Sequence, residues 1–336
     1  MKQTKFLWYL LVFAIVFATA CKKDDDNSSS PTPTINESEV LVKYLESPNS
    51  PLGKDYVNSD MPSIMPASEV KTLNATGQVY IIDIRSDADF VLGHIENAVN
   101  VPFGDVLNHI KNVDLSAYSK VAIVCYTGQT AGYVACILRL LGYDKVYSLK
   151  WGMCSWNDFF AAKWNDNMKN DYATQFTATD APKGPMGSLP TLSTGISSGQ
   201  EILEARIASL FADGFTPAAV TRTAVFGNLS NYYILNYWPE NHYLDPGHIP
   251  GAIQYTPKQS IKYDVDLKTL PTDKTIAVYC YTGQNSANLA AYLRLLGYDA
   301  QSILYGTNGM IYDKMVNLGL PVFGPSQIMG YDYIHP

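Results

Sequence analysis

The chain has 336 residues, 47% of them hydrophobic and 16% charged, which is a globular composition long enough for two domains of ordinary size. Its formal charge is −7, and −9 without the first twenty residues, which hold Lys2 and Lys5 and no acid. A chain this acidic is a poor match for nucleic acid, and no nucleic-acid partner is expected.

At the N-terminus, Lys2 and Lys5 precede an unbroken apolar run, Phe6 to Phe17, too short to span a bilayer comfortably. Residues 1–20 therefore read as a signal peptide. Ala18-Thr19-Ala20 before Cys21 resembles the lipobox of bacterial lipoproteins, which implies cleavage before Cys21 and acylation of that residue. Simple secretory cleavage after Ala20 is the alternative. The following KKDDDNSSSPTPT has nothing apolar to bury and reads as a disordered tether over 21–35. Its Lys22 to Asp26 also looks like the acidic tract that sends some Bacteroidetes lipoproteins to the cell surface. The expectation is an envelope protein held at the outer membrane through its N-terminal lipid only, with the membrane face open.

Residues 36–164 form the first expected domain. Glu39 to Leu45 reads as an amphipathic helix, Pro66-Ala67 opens the next segment, and Val79 to Ile82 suits a buried parallel strand. Asp83-Ile84-Arg85 and Gly93-His94-Ile95 follow. A second apolar run, Val121 to Val124, then delivers Cys125-Tyr126-Thr127-Gly128-Gln129 and a helix ending at Leu138 to Asp144. Residues 165–195, rich in Thr, Asp, Pro, Gly and Ser, form a linker long enough to lie across both domains.

Residues 196–324 repeat the pattern. Glu201 to Ile207 is the helix, with Ser198 and Glu201 spaced as a capping box. Pro217-Ala218, Tyr232 to Leu235, Gly247-His248-Ile249 and Ile276 to Tyr279 lead to Cys280-Tyr281-Thr282-Gly283-Gln284 and to Leu293 to Asp299. The twenty residues from Cys125 and the twenty from Cys280 agree at thirteen positions without a gap. Strands alternating with helices in two copies predict two similar α/β units, each built on a mainly parallel sheet flanked by helices. The tail, 325–336, carries no pattern.

A strand that ends in a cysteine, a glycine-containing turn and a helix N-terminus places the sulfur over backbone N–H groups. Such a site suits a thiolate and an anionic substrate, and a thiol so placed is expected below its ordinary pKa of about 8.5. Thr127 and Thr130, or Thr282 and Ser286, offer hydroxyl donors, and Asn285 closes the second loop. Phosphatase chemistry of the Cys-x5-Arg kind needs an arginine six residues after the cysteine, where Ala131 and Ser286 stand. Cys136, eleven residues after Cys125, lies about 16 Å further along the helix and reads as a small hydrophobe. Cysteine and histidine spacings suggest no disulfide framework and no metal site, and no cofactor is expected.

These ordered segments resemble the rhodanese family. IIDIRSDADFVLGHIENAVNVP looks like its strand, Asp-x-Arg and Gly-His-Ile segment, and VAIVCYTGQTA like its strand and cysteine loop. GHIPGAIQYTP and IAVYCYTGQNS match in the second copy. The resemblance implies sulfur transfer, with Cys125 and Cys280 as nucleophiles that become persulfides, and small sulfur compounds or a thiol protein as partners. It also implies that Asp83 and Arg85 brace the fold beside the site, that His94 and His248 are mostly structural, and that Cys154 comes near the active loop. Two departures matter. Neither loop carries the cation that many thiosulfate-using members have, which points toward polysulfide or a protein persulfide. Asn236-Tyr237-Trp238 stands where Asp83-Ile84-Arg85 stands in the first copy. The rival reading is a non-catalytic or redox-sensing binding module.

Overall fold

The structure, a computed structural model, describes residues 35–335; the expected signal peptide, Cys21 and nearly all of the tether lie outside the described residues. Strands β1 (Ile64–Met65), β2 (Val79–Asp83), β3 (Val99–Asn100), β4 (Lys120–Val124) and β5 (Val146–Leu149) form a parallel sheet in the order β1-β5-β4-β2-β3. Strands β6 (Ala219–Val220), β7 (Tyr232–Asn236), β8 (Ile253–Gln254), β9 (Thr275–Tyr279) and β10 (Ala300–Ile303) repeat it as β6-β10-β9-β7-β8. The central strands are rich in Val, Ile and Tyr and almost wholly buried, as a sheet covered on both faces requires. Each copy is thus an α/β domain with a five-stranded parallel sheet.

The two domains share one apolar core. Helix Gln129–Leu140 lies along helix Gln284–Leu295, and the cluster runs without a break from Leu41, Val134 and Leu138 to Leu203, Leu289 and Leu293. Helix Glu37–Leu45 packs on helix Gly199–Asp213 in the same layer. Both helices are longer than the short segments read from sequence. Ser198 precedes the second in extended conformation, but its side chain makes no capping hydrogen bond, so the expected capping box does not form. Tyr44 packs against Gly199 at that helix start and sets the entry of the chain in its place.

Linker and tail are exchanged between the domains. Lys169 and Tyr172 donate backbone hydrogen bonds to Asn308 and Met310, and Thr177 forms an antiparallel bridge with His248. Farther on, Glu37 of the first domain accepts hydrogen bonds from Thr194 and Gly195. The tail returns the other way: Ile334 bridges His94, Gln327 accepts from Trp151 Nε1, and Asp332 O accepts from Trp156 Nε1. Equivalent Gly-His-Ile segments are therefore strapped by equivalent segments of the opposite half. No helix among the described residues is long and apolar enough to cross a membrane.

Candidate active site

The cysteine loop follows from the register of the sheet. Asp83, the last residue of β2, pairs with Val124, the last of β4, so Asp83-Ile84-Arg85 leaves the sheet beside Cys125. Ligands of open parallel sheets sit at this carboxyl edge. Gly128, at φ 82°, turns the chain into helix Gln129–Leu140. Cys125 Sγ accepts hydrogen bonds from Gly128 N at 3.2 Å and Ala131 N at 3.4 Å. From behind, Met153 N and Cys154 N donate to Cys125 O and Tyr126 O at 2.9 and 3.1 Å. That clamp requires glycine at 152: a Cβ there would lie 2.3 Å from Cys125 O, and φ is +61°. Trp164 Nε1 donates to Thr127 O at 3.2 Å and completes the frame.

Burial pushes the Cys125 thiol up, and N–H groups of Ala131, Thr127 and Gly128 only partly offset it. The lowered thiol expected from sequence is not what the structure shows. A helix N-terminus favours the thiolate, but a cysteine only 6% exposed loses more in hydration than those donors return.

Around the sulfur, charge comes from outside the loop. Arg85 and Asp83 form a buried bidentate pair, with Nη2 to Oδ2 at 2.6 Å and Nε to Oδ1 at 3.0 Å, and Arg85 Nη2 also donates to Gly93 O. Arg85 lies 5.1 Å from the centroid of the Tyr126 ring, and Lys163 Nζ lies 3.7 Å from it. Tyr126 OH donates to Asp89 at 2.8 Å. Burial works against the Asp89 carboxylate, but hydrogen bonds from Ser86 and Tyr126 and the charges of Lys163 and Arg85 hold its carboxyl below the usual range. Arg85, Asp89, Tyr126 and Lys163 line a cavity of about 270 Å³ together with Cys125, Thr127, Gln129 and Thr130, and with Phe215, Leu304 and Tyr305 of the second domain.

The second copy has the same backbone and a different filling. Cys280 Sγ accepts from Ser286 N at 3.3 Å, and Gly306 makes the approach to Cys280 O that Gly152 makes to Cys125 O. Trp238 replaces Arg85 and lies 4.9 Å from the Tyr281 ring, while the hydroxyl of Tyr281 meets His242 where Tyr126 meets Asp89. Asn236 replaces Asp83, and neither end of its amide finds a partner of good geometry. Cys280 is 1% exposed.

Other expected site residues are distributed as follows. Thr127 and Thr130 line the cavity. Thr282 Oγ1 accepts from Gln284 N, and the Asn285 carbonyl oxygen is buried without a partner. Gln129 and Gln284 cross between domains: Gln129 Oε1 accepts from Tyr305 N at 2.7 Å, and Gln284 Oε1 accepts from Trp151 N at 3.0 Å. His94 stacks on Phe90 at 3.8 Å and His248 on Tyr243 at 3.6 Å, each with Nδ1 on the carbonyl of its stacking partner. Cys136 is fully buried. Cys154 donates to Phe160 O at 3.0 Å, and burial pushes its thiol up to about 12. Lys150 sits 5.4 Å from the Trp151 ring and is not among the cavity residues. Sequence reasoning missed Lys163, whose only signal is its place in the Ala-Ala-Lys-Trp stretch after the last strand. It also missed Asp89 and the second-domain wall. Among the described residues no His, Cys, Asp and Glu cluster suits a metal ion.

A cysteine held in a turn of backbone donors, at the carboxyl edge of a parallel sheet and duplicated in one compact unit, defines a tandem thiol-centred α/β protein. The family model described as Rhodanese-like domain matches residues 66–159 and 228–310. The chain belongs to the rhodanese-like family. It is 30% identical over 99 residues to the thiosulfate sulfurtransferase GlpE of Pseudomonas fluorescens, a match covering 30% of this chain and 88% of that protein. It is 23% identical over 88 residues to the adenylyltransferase and sulfurtransferase uba4 of Ogataea parapolymorpha, and there spans only 22% of the relative and 26% of itself. Among solved structures, SseA of Escherichia coli, described with the 3-mercaptopyruvate sulfotransferases, is 16% identical with a TM-score of 0.27, covering 74% of this chain and 98% of that one.

Proposed function

We propose that the protein is a sulfurtransferase that carries a sulfane sulfur on Cys125 as a persulfide. The observation that carries this reading is Cys125 Sγ itself, held by two backbone N–H groups beside a cavity of about 270 Å³. The Cys125 thiolate attacks the outer sulfur of a sulfane donor. The donor S–S bond breaks, its electron pair leaves with the donor remnant, and a Cys125 persulfide remains. A thiol or cyanide acceptor then attacks the outer persulfide sulfur and the Cys125 thiolate departs. Because burial favours the neutral thiol, the proton of Cys125 passes to water in the open cavity as the thiolate forms, and Gly128 N and Ala131 N hold the resulting charge. The second domain, with Trp238 packed on Tyr281 and Cys280 1% exposed, acts in this reading as a buttress with no turnover of its own.

In the same proposal the protein is an envelope lipoprotein acylated on Cys21, a reading supported by the Lys2 to Cys21 pattern of its sequence, and its partners are small sulfur compounds or a thiol protein. The test is intact mass of the full chain after thiosulfate and, separately, polysulfide. One added sulfur atom is expected in wild type and in Cys280→Ser, and none in Cys125→Ser. Absence of the adduct with both donors defeats the proposal. Palmitate labelling of wild type but not of Cys21→Ser is expected; an unlabelled wild type defeats the anchor.

A further inference from the structure

The glutamine of the first cysteine loop is engaged at both ends of its side chain. Gln129 is 2% exposed, and its Oε1 accepts from the backbone N–H of Tyr305, in the second domain, at 2.7 Å. A backbone nitrogen only donates, so this contact fixes which end of the amide is oxygen. Nε2 then donates to Thr127 Oγ1 at 3.1 Å. Gly283 of the opposite loop makes room for the arrangement, since a Cβ there would lie 2.2 Å from Gln129 Oε1. The side chain thus links Tyr305 to Thr127. A hydroxyl that accepts in this way keeps its one proton to donate, and accepting polarises it toward stronger donation. That proton has no acceptor among the described residues: Thr127 Oγ1 makes no hydrogen bond with Cys125 Sγ, whose donors are Gly128 N and Ala131 N. Thr127 lines the cavity beside that sulfur. The second copy repeats the residues and not the link. Thr282 Oγ1 accepts from the backbone nitrogen of Gln284 at 3.3 Å, and the Gln284 side chain reaches Trp151 N without bonding Thr282.

We propose that Gln129 is a positioning residue of the Cys125 site: held by the backbone N–H of Tyr305 in the second domain, it commits the Thr127 hydroxyl to donate to the outer, anionic sulfur of a Cys125 persulfide. This rests on the sulfurtransferase reading and gives the second domain a part in it. Loading from polysulfide breaks one donor S–S bond. The electron pair leaves with the shortened polysulfide, and the charge of the Cys125 thiolate passes to the outer sulfur. That sulfur lies about 2 Å beyond Sγ, on the side of the cavity that Thr127 lines. A hydrogen bond to an anion is stronger than one between neutral groups, so the hydroxyl favours the loaded state over the free thiol. Without the Gln129 amide the hydroxyl turns freely; with it, the second domain sets the direction of donation. The charged and titratable groups around the sulfur, Asp83, Arg85, Asp89, Tyr126, Lys163 and Tyr305, make no side-chain bond with Thr127 or Gln129, so substitutions there leave them paired as they are.

The test uses the full chain loaded with polysulfide or thiosulfate, with Thr127→Val, Thr127→Ser, Gln129→Met and the double variant Thr127→Val/Gln129→Met beside wild type. Alkylation by iodoacetamide, read by mass on the Cys125 peptide, is followed against pH for the unloaded thiol and for the loaded persulfide. Thr127→Val is expected to raise the pH midpoint of the persulfide by about one pH unit. It should leave the midpoint of the unloaded thiol in place, because the hydroxyl makes no hydrogen bond with Sγ. Thr127→Ser should behave as wild type. Gln129→Met should move the persulfide in the same direction by less, and the double variant should go no further than Thr127→Val. A distorted loop shifts both forms alike, so equal shifts, or no persulfide shift in Thr127→Val, overturn the assignment. A persulfide shift in Thr127→Val with none in Gln129→Met, or additive shifts in the double variant, overturns the part given to Gln129. Should Thr127→Val not fold, an unshifted persulfide in Gln129→Met overturns the assignment by itself. Wild type that forms no persulfide with either donor removes this assignment and the sulfurtransferase reading together.

Discussion

Gln284→Ala removes a residue of the second cysteine loop and is expected to damage the first. Gln284 Oε1 accepts from the backbone N–H of Trp151, a residue 2% exposed at φ 65°. That turn continues through Gly152 into the two N–H groups that clamp Cys125 O and Tyr126 O. Truncation leaves a buried donor unpaired, worth about 1–3 kcal/mol, and loses one buried methylene, worth about 0.8 kcal/mol. Gln129→Ala removes the matching bond to Tyr305 N, but Tyr305 is only partly buried and water can take the place, so roughly 1 kcal/mol is expected there. Urea unfolding measures the stability loss, and single-turnover persulfide loading measures the state of the Cys125 loop. Gln284→Ala should be the less stable variant and should load roughly tenfold more slowly, since small displacements of a reacting group are expensive. A Gln284→Ala protein within about 0.5 kcal/mol of wild type and with unchanged loading would refute the coupling of one loop to the other.

Gly152→Ala should abolish loading and lower the melting temperature by several degrees, because the new Cβ would fall 2.3 Å from Cys125 O; normal loading with an unshifted melt would show that the clamp gives way freely. Arg85→Leu leaves Asp83 buried without its partner and should cost about 3–5 kcal/mol in chemical denaturation; a loss below 1 kcal/mol would mean that Asp83 finds water. At the domain junction, burial raises the Glu46 carboxyl to about 7, opposed by a hydrogen bond from Tyr263 N and assisted by Asp55 and Asp264. Its folded value lies above the ordinary 4.5, so its contribution to stability is complete below that and is lost as pH rises through about 7. Glu46→Gln should therefore raise the melting temperature at pH 8 and not at pH 4, and an equal shift at both would falsify the assignment.

The α/β repeat was legible because it rests on local signals: apolar runs of strand length, a glycine after each cysteine, and the closing Leu-Arg-Leu-Leu-Gly-Tyr-Asp. Asp83 and Arg85 were legible for a similar reason, being two residues apart at a strand end. What sequence could not supply was distance across the chain. Lys163 is 37 residues from the Tyr126 ring that it covers, and Gln284 is 133 residues from Trp151 N. A repeated Gln in a cysteine loop reads as a substrate contact until the partner domain is in place. The thiol was misjudged because a helix N-terminus is visible in sequence and the burial that opposes it is not.

The reciprocal exchanges explain how two near-identical loops come to differ. Each domain holds the other through a glutamine from its cysteine loop and through the segment that follows it, Thr177 on His248 and Ile334 on His94. These contacts use backbone and the shared Gln, so they place the same demand on both copies of Cys-Tyr-Thr-Gly-Gln. Arg85, Asp89 and Lys163 lie outside that shared set, and only they meet the cavity as charges. Trp238 and His242 stand at the matching places of the second copy and pack against the Tyr281 ring. Cys280 thus lies in the same backbone cradle as Cys125, and Arg85, Asp89 and Lys163 are the charged groups that set the first site apart from the second.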